Sequence, residues 1–167
     1  MRYENDKKAA VEALAKIDPF QPLGAELFNA IFRVSVGIAI ETVAIRRNSE
    51  TGKVEVFLTW RNETAPTYKN TWHVPGSYMR PGETIKKTIE RIARDEFKCS
   101  IKVIKDAGWK DNPTEERGSC VHLVFLVGIG EPKNGKWFPV NELPSETIEH
   151  HRHVVIPIAV EAFKSIS

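Results

Sequence analysis

Residues 72–98 carry the sequence pattern that most restricts the fold of this chain. A short apolar piece at 72–74 is followed by a loop at 75–81 that contains two prolines and one glycine. A helix is predicted to begin at Gly82, because helical apolar spacing starts immediately after it. The segment is therefore predicted to run from a strand through a tight loop into a helix.

The predicted helix turns a carboxylate inward. At about 100° per residue, Ile85, Ile89 and Ile92 form one narrow stripe, and Glu96 falls on that same stripe. An unpaired buried carboxylate is costly, so Glu96 needs a cation, a hydrogen-bond partner or a gap in the core. A metal ion would satisfy it. The alternative is that this end of the helix emerges into solvent.

The rest of the chain alternates predicted strands and helices irregularly. Strands are predicted at 34–46, 54–60, 101–109 and 120–129, and helices at 6–17, 145–151 and 157–164. Turn residues at 48–52 predict a hairpin between the first two strands. This order favours an α+β fold in which helices cover a mixed sheet.

Composition favours one domain and excludes some partners. The chain has 167 residues and is 41% hydrophobic, so we predict a single domain over residues 1–167 with residues 1–30 as an N-terminal helical extension. A net charge of +2 argues against a dedicated nucleic-acid binder. The chain has no apolar run of the roughly 18 residues that span a bilayer and no signal-like start, which predicts a cytoplasmic protein without a membrane partner. Cys99 and Cys120 are expected to be buried free thiols.

The segment at 72–98 resembles the Nudix box. That box consists of Gly, five residues, Glu, seven residues, Arg-Glu-apolar, one residue, Glu-Glu, one residue and Gly-apolar. Glu83 corresponds to the first Glu, Arg91 to the Arg, and Asp95 and Glu96 to the late acidic pair. Gly76 corresponds to the glycine that commonly precedes the box. The resemblance implies a Nudix-type α/β/α sandwich with a mixed, curved sheet between helices.

Four positions of this box depart from the pattern: Ser77, Ile92, Ala93 and Lys98. Ile92 lies one helical turn before Glu96, where the family has two carboxylates that hold the metals jointly. Because only one carboxylate remains, the site should hold fewer metal ions or hold them more weakly. An inactive site is the alternative.

The GDP-mannose mannosyl hydrolases are a branch of the family that also lacks this glutamate. The likeness extends from about residue 34 to residue 140 and includes Arg61, Trp72 and the Val-Pro-Gly at 74–76. It implies that Glu96 and the carbonyl of Gly76 bind one Mg²⁺, with Mn²⁺ as the alternative ion. Arg61 would neutralise a phosphate as a catalytic and substrate-binding residue.

Other roles implied by the resemblance concern the loops. Arg91 would secure the loop through Glu83. In the mannosyl hydrolase branch a late Gln-His pair supplies a metal ligand and the general base, and Glu131 and Pro132 stand at those positions here. Glu131 is thus the candidate for the metal ligand or the general base, and the alternative is that it is simply a solvated loop residue. Tyr78 replaces an arginine just inside the box and is the candidate that contacts substrate.

Two histidine-containing segments have simpler interpretations. His122 lies in an apolar strand and is expected to be a hydrogen-bonded core residue. Residues 149–153 are expected to be a solvated helix terminus, with a phosphate contact from Arg152 or a histidine as the alternative. Trp60 and Trp109 are interpreted as ordinary rim or core aromatics.

These features predict a Mg²⁺-dependent hydrolase of a nucleoside diphosphate linked to another group, with nucleotide sugars among the candidate substrates. The alternative is a catalytically degenerate nucleotide-binding or sensing module. The expected partner is a small molecule rather than nucleic acid, and the resemblance implies a homodimer. An RNA-processing enzyme is disfavoured by the near-zero net charge.

Overall fold

A seven-stranded sheet forms the centre of the protein, in a computed structural model that describes residues 2–166. The predicted domain limits, Met1 and Ser167, lie outside the described residues. The strands are β1 (Gly37–Arg47), β2 (Val54–Arg61), β3 (Thr71–His73), β4 (Gly76–Tyr78), β5 (Ile101–Asn112), β6 (Cys120–Ile129) and β7 (Lys136–Pro139).

The sheet is mixed, as predicted. Its main order is β3-β2-β1-β6-β5, with β4 paired to β1 and β7 paired to β2. The central pair β1 and β6 is parallel, and the other pairs are antiparallel. β1 and β6 are buried over most of their length, because the sheet is covered on both faces there. The predicted hairpin is β1 with β2.

The helices are α1 (Arg2–Leu14), α2 (Gly24–Phe32), α3 (Ile85–Ile92) and α4 (Ile156–Lys164). α3 and α4 cover the two faces of the sheet. α3 continues into a π-helical turn, Ala93–Phe97, and another π-helical turn, His151–Val155, leads into α4. The predicted α/β/α sandwich is confirmed.

Two buried clusters form because β1 side chains alternate between the faces. Ile40 and Ala44 pack with Ile89 and Ile92 of α3. Val43 and Ile45 face the other way, toward the residues that begin α4, with which they share the second cluster: Val155, Ile156 and Ala159. The sheet therefore holds α3 and α4 on opposite sides, and the segments that flank these helices reach one end of the sheet.

The structure corrects several predicted elements. α2 and β4 were not predicted, because α2 has only nine residues and β4 only three. The predicted helix at 145–151 is not formed as such, since residues 145–148 are a turn with one bridge and the helix after it continues into α4. Ile85 was expected to face inward and is 39% exposed, because α3 begins there at the rim of the sheet.

α1 begins earlier than predicted and ends at Leu14, and none of its residues is buried. In the described part of the chain, no helix combines the length and apolar character needed to cross a membrane.

Candidate active site

A pocket of about 230 Å³ opens at the end of the sheet where β1, β4 and β6 meet the π-helical turn after α3. Glu41 comes from β1, Arg61 from the end of β2, and Glu96 from the π-helical turn. The charged and titratable side chains that line it are Glu41, Arg61, Tyr68, His73, Tyr78, Glu96, Glu115, Arg117, His122, His150 and His151.

Residues predicted for the site are mostly brought together here. Gly76, Arg61, Tyr78 and Glu96 line the same pocket. Glu131 does not line it, because the strand β6 ends at Ile129 and Glu131 is exposed in the loop that follows. The structure thus provides no contact through which Glu131 could act as the predicted ligand or base.

The close approach of β1 and β4 requires a glycine at position 76. A Cβ built on Gly76 would collide with Glu41 Oε2 and would lie 2.8 Å from the carbonyl oxygen of Ile40. Thr42 N–H bonds to the Pro75 carbonyl, so the neighbouring Glu41 and Gly76 form a non-hydrogen-bonded pair of the ladder. The carbonyl of Gly76 therefore points away from β1 and is available to a ligand.

Glu96 lies at the mouth of the pocket. Its side chain is 32% exposed, and one carboxylate oxygen is 3.6 Å from His73 Nε2. Burial raises the pKa of Glu96, and Arg61 opposes that shift. The π-helical turn, with its wider spacing, presents this carboxylate at the end of α3, a position in which such turns often serve function.

Arg91 fixes the loop that forms one wall of the pocket. It donates to both carboxylate oxygens of Glu83 at 2.7 Å, to Ser77 Oγ at 2.7 Å and to the Tyr78 carbonyl at 2.9 Å. The hydrogen bonds from Arg91 lower the pKa of Glu83 to about 2. The Arg91 side chain is only 9% exposed, so this buried fork holds residues 77–83 in place.

Two arginines face the pocket together. Arg61 is held by a hydrogen bond of 3.0 Å to the Thr67 carbonyl. Arg117 was not among the predicted site residues. Its Cζ lies 4.8 Å from the centre of the Tyr78 ring, and its Nε lies 3.4 Å from Glu115 Oε1. Burial lowers the pKa of Arg61, and the charge of Arg117 acts in the same direction. An anion between the two guanidinium groups would relieve that repulsion.

Tyr78 forms a wall of the pocket with help from α2. Its ring packs edge-on against Phe32, with ring centres 4.6 Å apart, and lies 5.8 Å from Phe28. Phe32 can pack closely against Gly37 and Gly118 because neither has a Cβ. A Cβ at either position would collide with Phe32. α2 thereby supports the side of the pocket that carries Tyr78 and Arg117.

Glu41 and His122 form a buried pair that the sequence reasoning missed. His122 Nδ1 lies 2.9 Å from Glu41 Oε1, and its Nε2 lies 3.1 Å from Cys120 Sγ. Burial opposes a charge on His122, but the hydrogen bonds with Cys120 and Glu41 raise its pKa to about 10. His122 is hydrogen-bonded and buried, as expected, and it also lines the pocket. Both cysteines are free, with Cys120 buried and Cys99 partly buried.

His151 and His73 are neutral beside that pair. Burial lowers the pKa of each to about 3. Val74 N–H donates to His151 Nδ1 at 2.9 Å, so the single proton of this imidazole is on Nε2, which lies 3.9 Å from Glu41 Oε2. His151 thus presents a hydrogen-bond donor to the pocket.

The interpretation of residues 149–153 as a solvated helix terminus is wrong for His151, which is buried. The interpretation holds for Glu149 and His153, whose side chains are exposed. A signal was present in the sequence, because His151, Val155 and Ala159 follow one another at the four-residue spacing of a buried helical stripe. Arg152 contacts the carbonyl of Pro144 instead of the pocket.

The oxygen atoms of the pocket fit a hard divalent cation. No three His, Cys, Asp or Glu side chains within residues 2–166 are grouped to hold a metal by themselves. Mg²⁺ commonly takes only one or two carboxylates and completes its shell with water and substrate phosphate. Glu96 and the Gly76 carbonyl supply such a partial shell, and Glu41 Oε2 is buried here with no hydrogen-bond partner among the described residues.

Comparison with known proteins places this fold and pocket in one family. The family model for the NUDIX domain matches residues 38–157. The chain therefore belongs to the Nudix domain family, and the family predicted from residues 72–98 is confirmed.

Individual relatives are more distant. The chain is 27% identical over 94 residues to the ADP-ribose pyrophosphatase of Methanocaldococcus jannaschii. This match covers 51% of this chain and 56% of that protein. It is similar in structure to a MutT/nudix family protein from Enterococcus faecalis, with 15% identity, a TM-score of 0.62 and coverage of 95% and 69% of the two chains. The NUDIX domain of Shewanella oneidensis NrtR, complexed with ADP ribose, gives 15% identity, a TM-score of 0.55 and coverage of 94% and 98%.

Proposed function

We propose that this protein is a divalent-metal-dependent hydrolase of a nucleoside diphosphate linked to another group. The observation that carries the proposal is that Glu96, Gly76 and Arg61, which come from three separate elements, line one pocket. A family assignment and a hydrolase relative support the same conclusion.

Each residue has a separate task in this proposal. Glu96 and the Gly76 carbonyl would hold Mg²⁺ or Mn²⁺, which neutralises phosphate charge and polarises the phosphorus–oxygen bond. Arg61 and Arg117 would bind the non-bridging oxygens of the diphosphate. His151 Nε2–H can donate a further hydrogen bond to such an oxygen. Arg91 would keep the Gly76 loop in place through Glu83.

ADP-ribose is the first substrate to test. One relative is an ADP-ribose pyrophosphatase and one similar structure is a complex with ADP ribose, whereas the likeness to GDP-mannose mannosyl hydrolases rests on the sequence alone. A second groove of about 470 Å³ adjoins the pocket and shares Tyr68, Glu115 and His150 with it. The two spaces together are large enough for a nucleotide and its attached group. Other nucleotide sugars are the next candidates.

Turnover assays with the purified protein and MgCl₂ or MnCl₂ test the proposal. AMP and ribose phosphate as products of ADP-ribose would indicate attack at phosphorus, and ADP with free ribose would indicate cleavage of the ester that joins ribose to the diphosphate. The Glu96→Gln variant should lose at least about a hundredfold in kcat/KM, because the proposed cation loses a charged ligand. Glu90→Gln, on the exposed face of α3, is the matched control and should keep the rate. Absence of turnover of every nucleotide derivative tested would contradict the proposal.

A nucleotide-sensing module is the second candidate, and Ile92 favours it. This side chain is 1% exposed and belongs to the core beneath α3, at the position where the box has a carboxylate. A sensor would bind ADP-ribose in calorimetry and leave it intact after prolonged incubation. Product formation that depends on Glu96 would exclude this candidate.

We also propose a single domain and a homodimer. β5 is at one edge of the sheet and exposes Val103, Ile104 and Trp109, which is a surface suited to association. Light scattering should give twice the 18.9 kDa chain mass. Urea unfolding should show one cooperative transition. A monomeric mass at high protein concentration would contradict the homodimer. Two separate unfolding transitions would contradict the single domain.

A further inference from the structure

We propose that Glu41 on β1 supplies the second carboxylate of the divalent-cation site, in place of the one that α3 lacks at Ile92. The inference rests on the proposed function in one respect, namely that the pocket holds a divalent cation. It assigns a ligand from a strand that lies outside the box-like segment.

The first observation is an unpartnered oxygen. Glu41 has a side-chain exposure of 6%, and its Oε2 has no hydrogen-bond partner among residues 2–166. A buried carboxylate oxygen without a partner is costly, and such atoms are usually satisfied by a proton donor or a cation. Oε2 lines the pocket directly above Gly76, whose missing Cβ leaves space for it.

The second observation is that the carboxylate is already oriented. His122 Nδ1 lies 2.9 Å from Glu41 Oε1 and fixes that oxygen by a hydrogen bond. Cys120 Sγ holds the opposite ring nitrogen at 3.1 Å. Carboxylates that bind metals are commonly fixed by such hydrogen bonds, which leave the other oxygen for the ion.

The third observation concerns charge. Glu41 and Glu96 line one pocket, so two carboxylates that come from different elements share one small space. Two carboxylates that share a site repel each other unless a cation lies between them. A divalent ion would neutralise both charges.

His151 does not enter this donor set. The nitrogen of His151 that faces Glu41 carries the ring proton, because Val74 N–H occupies the other nitrogen. A protonated nitrogen cannot bind a metal. The donors that we assign are two carboxylates and one carbonyl, an all-oxygen set that favours Mg²⁺ or Mn²⁺ over Zn²⁺.

Mn²⁺ binding to the metal-free full chain, without nucleotide, tests the inference. Free Mn²⁺ is quantified by electron paramagnetic resonance for the unaltered protein and for Glu41→Gln, Glu96→Gln and Glu55→Gln. Glu55 is a matched control, since it is a nearly buried strand carboxylate that is paired with Arg46 outside the pocket. Glu41→Gln and Glu96→Gln should each weaken binding at least about tenfold, and Glu55→Gln should bind as the unaltered protein does. Unchanged binding by Glu41→Gln, with loss in Glu96→Gln, would overturn the inference.

A second measurement needs no variant and covers the case in which Glu41→Gln does not fold. Crystals of the unaltered protein soaked in MnCl₂ should give an anomalous peak within roughly 2.0–2.6 Å of Glu41 Oε2. An anomalous peak within bonding distance of Glu96 but not of Glu41, or the absence of a peak in the pocket, would overturn the inference. Mn²⁺ bound by Glu41 in a protein without turnover would instead refute only the proposed hydrolase function.

Discussion

Arg91 and Glu83 are joined by two hydrogen bonds of 2.7 Å that connect the last turn of α3 to the loop before it. The same guanidinium also bonds to Ser77 and to the Tyr78 carbonyl. A single buried cation therefore holds both ends of the loop that carries the pocket wall. The loop should lose its conformation when the planar, forked shape of this group is lost.

We predict that Arg91→Lys lowers the free energy of unfolding by about 3 kcal/mol, because an ammonium group cannot replace the buried fork. Urea denaturation at neutral pH measures the change. Arg94→Lys is the control, since Arg94 pairs with Asp95 on the exposed surface and should cost less than about 1 kcal/mol. Equal effects of the two substitutions would contradict the prediction.

Acid should weaken the same loop. Arg91 lowers the pKa of Glu83 from 4.5 to about 2, so the folded state binds the proton less readily than the unfolded state. The stabilisation by this pair is complete above about pH 4.5 and is lost as the pH falls toward 2. Urea denaturation between pH 7 and pH 3 should show a smaller decline for Glu83→Gln than for the unaltered protein. Parallel declines would show that Glu83 is not responsible.

Lys98 occupies the position where the box has glycine, and its backbone is left-handed with φ of +56°. A side chain costs about 1 kcal/mol in that conformation. Lys98→Gly should therefore stabilise the protein by roughly that amount in thermal or urea unfolding. Lys102→Gly, in the exposed strand β5, should destabilise it instead, because glycine weakens a strand interior. Destabilisation by Lys98→Gly would contradict the argument from backbone strain.

Gly76→Ala should damage the pocket more than the fold. The added methyl group would collide with Glu41 Oε2 and push β4 from β1. We expect a loss of about 1–3 kcal/mol in stability and a fall in Mn²⁺ affinity. Gly128→Ala is the control, because a Cβ there meets Ile104 at an ordinary 3.5 Å. A Gly76→Ala protein that binds Mn²⁺ normally would contradict this use of the glycine.

The protonation of His151 is a direct prediction of one backbone contact. Since Val74 N–H occupies Nδ1, nitrogen NMR of the metal-free protein should show the neutral form with the proton on Nε2 throughout pH 5–8. His122 should remain charged over the same range, because its pKa is raised to about 10. A shared titration of the two rings near pH 6.5 would contradict both assignments.

The strands of the sheet could be predicted where apolar runs are long. The predicted bounds of β2 and β6 are close to the observed ones, because apolar and aromatic residues make up most of both strands. β4 could not be predicted, since its three residues contain the glycine of an apparent turn and pair only through contact with β1. Tertiary contacts, rather than local propensity, define such short strands.

Apart from Arg61, the site could be predicted only where its residues share one segment. Gly76 and Glu96 followed from the box-like pattern, and both line the pocket, while their chemical roles remain predictions. Glu41 and His122 are 81 residues apart, and only the parallel pairing of β1 with β6 brings them together. One signal was present in the sequence, because Glu41 is the lone carboxylate of β1 and has apolar residues on its N-terminal side.

The contact of Phe32 with Tyr78 changes how the first thirty residues should be regarded. A shortened protein that began at residue 34 would retain all seven strands and the box-like segment. It would nevertheless remove the two aromatic rings behind Tyr78 and free the side of the cavity that carries Arg117. Substitutions in α2 should therefore change ligand preference without altering any residue that lines the cavity. Removal of this helix should change the shape of the cavity itself.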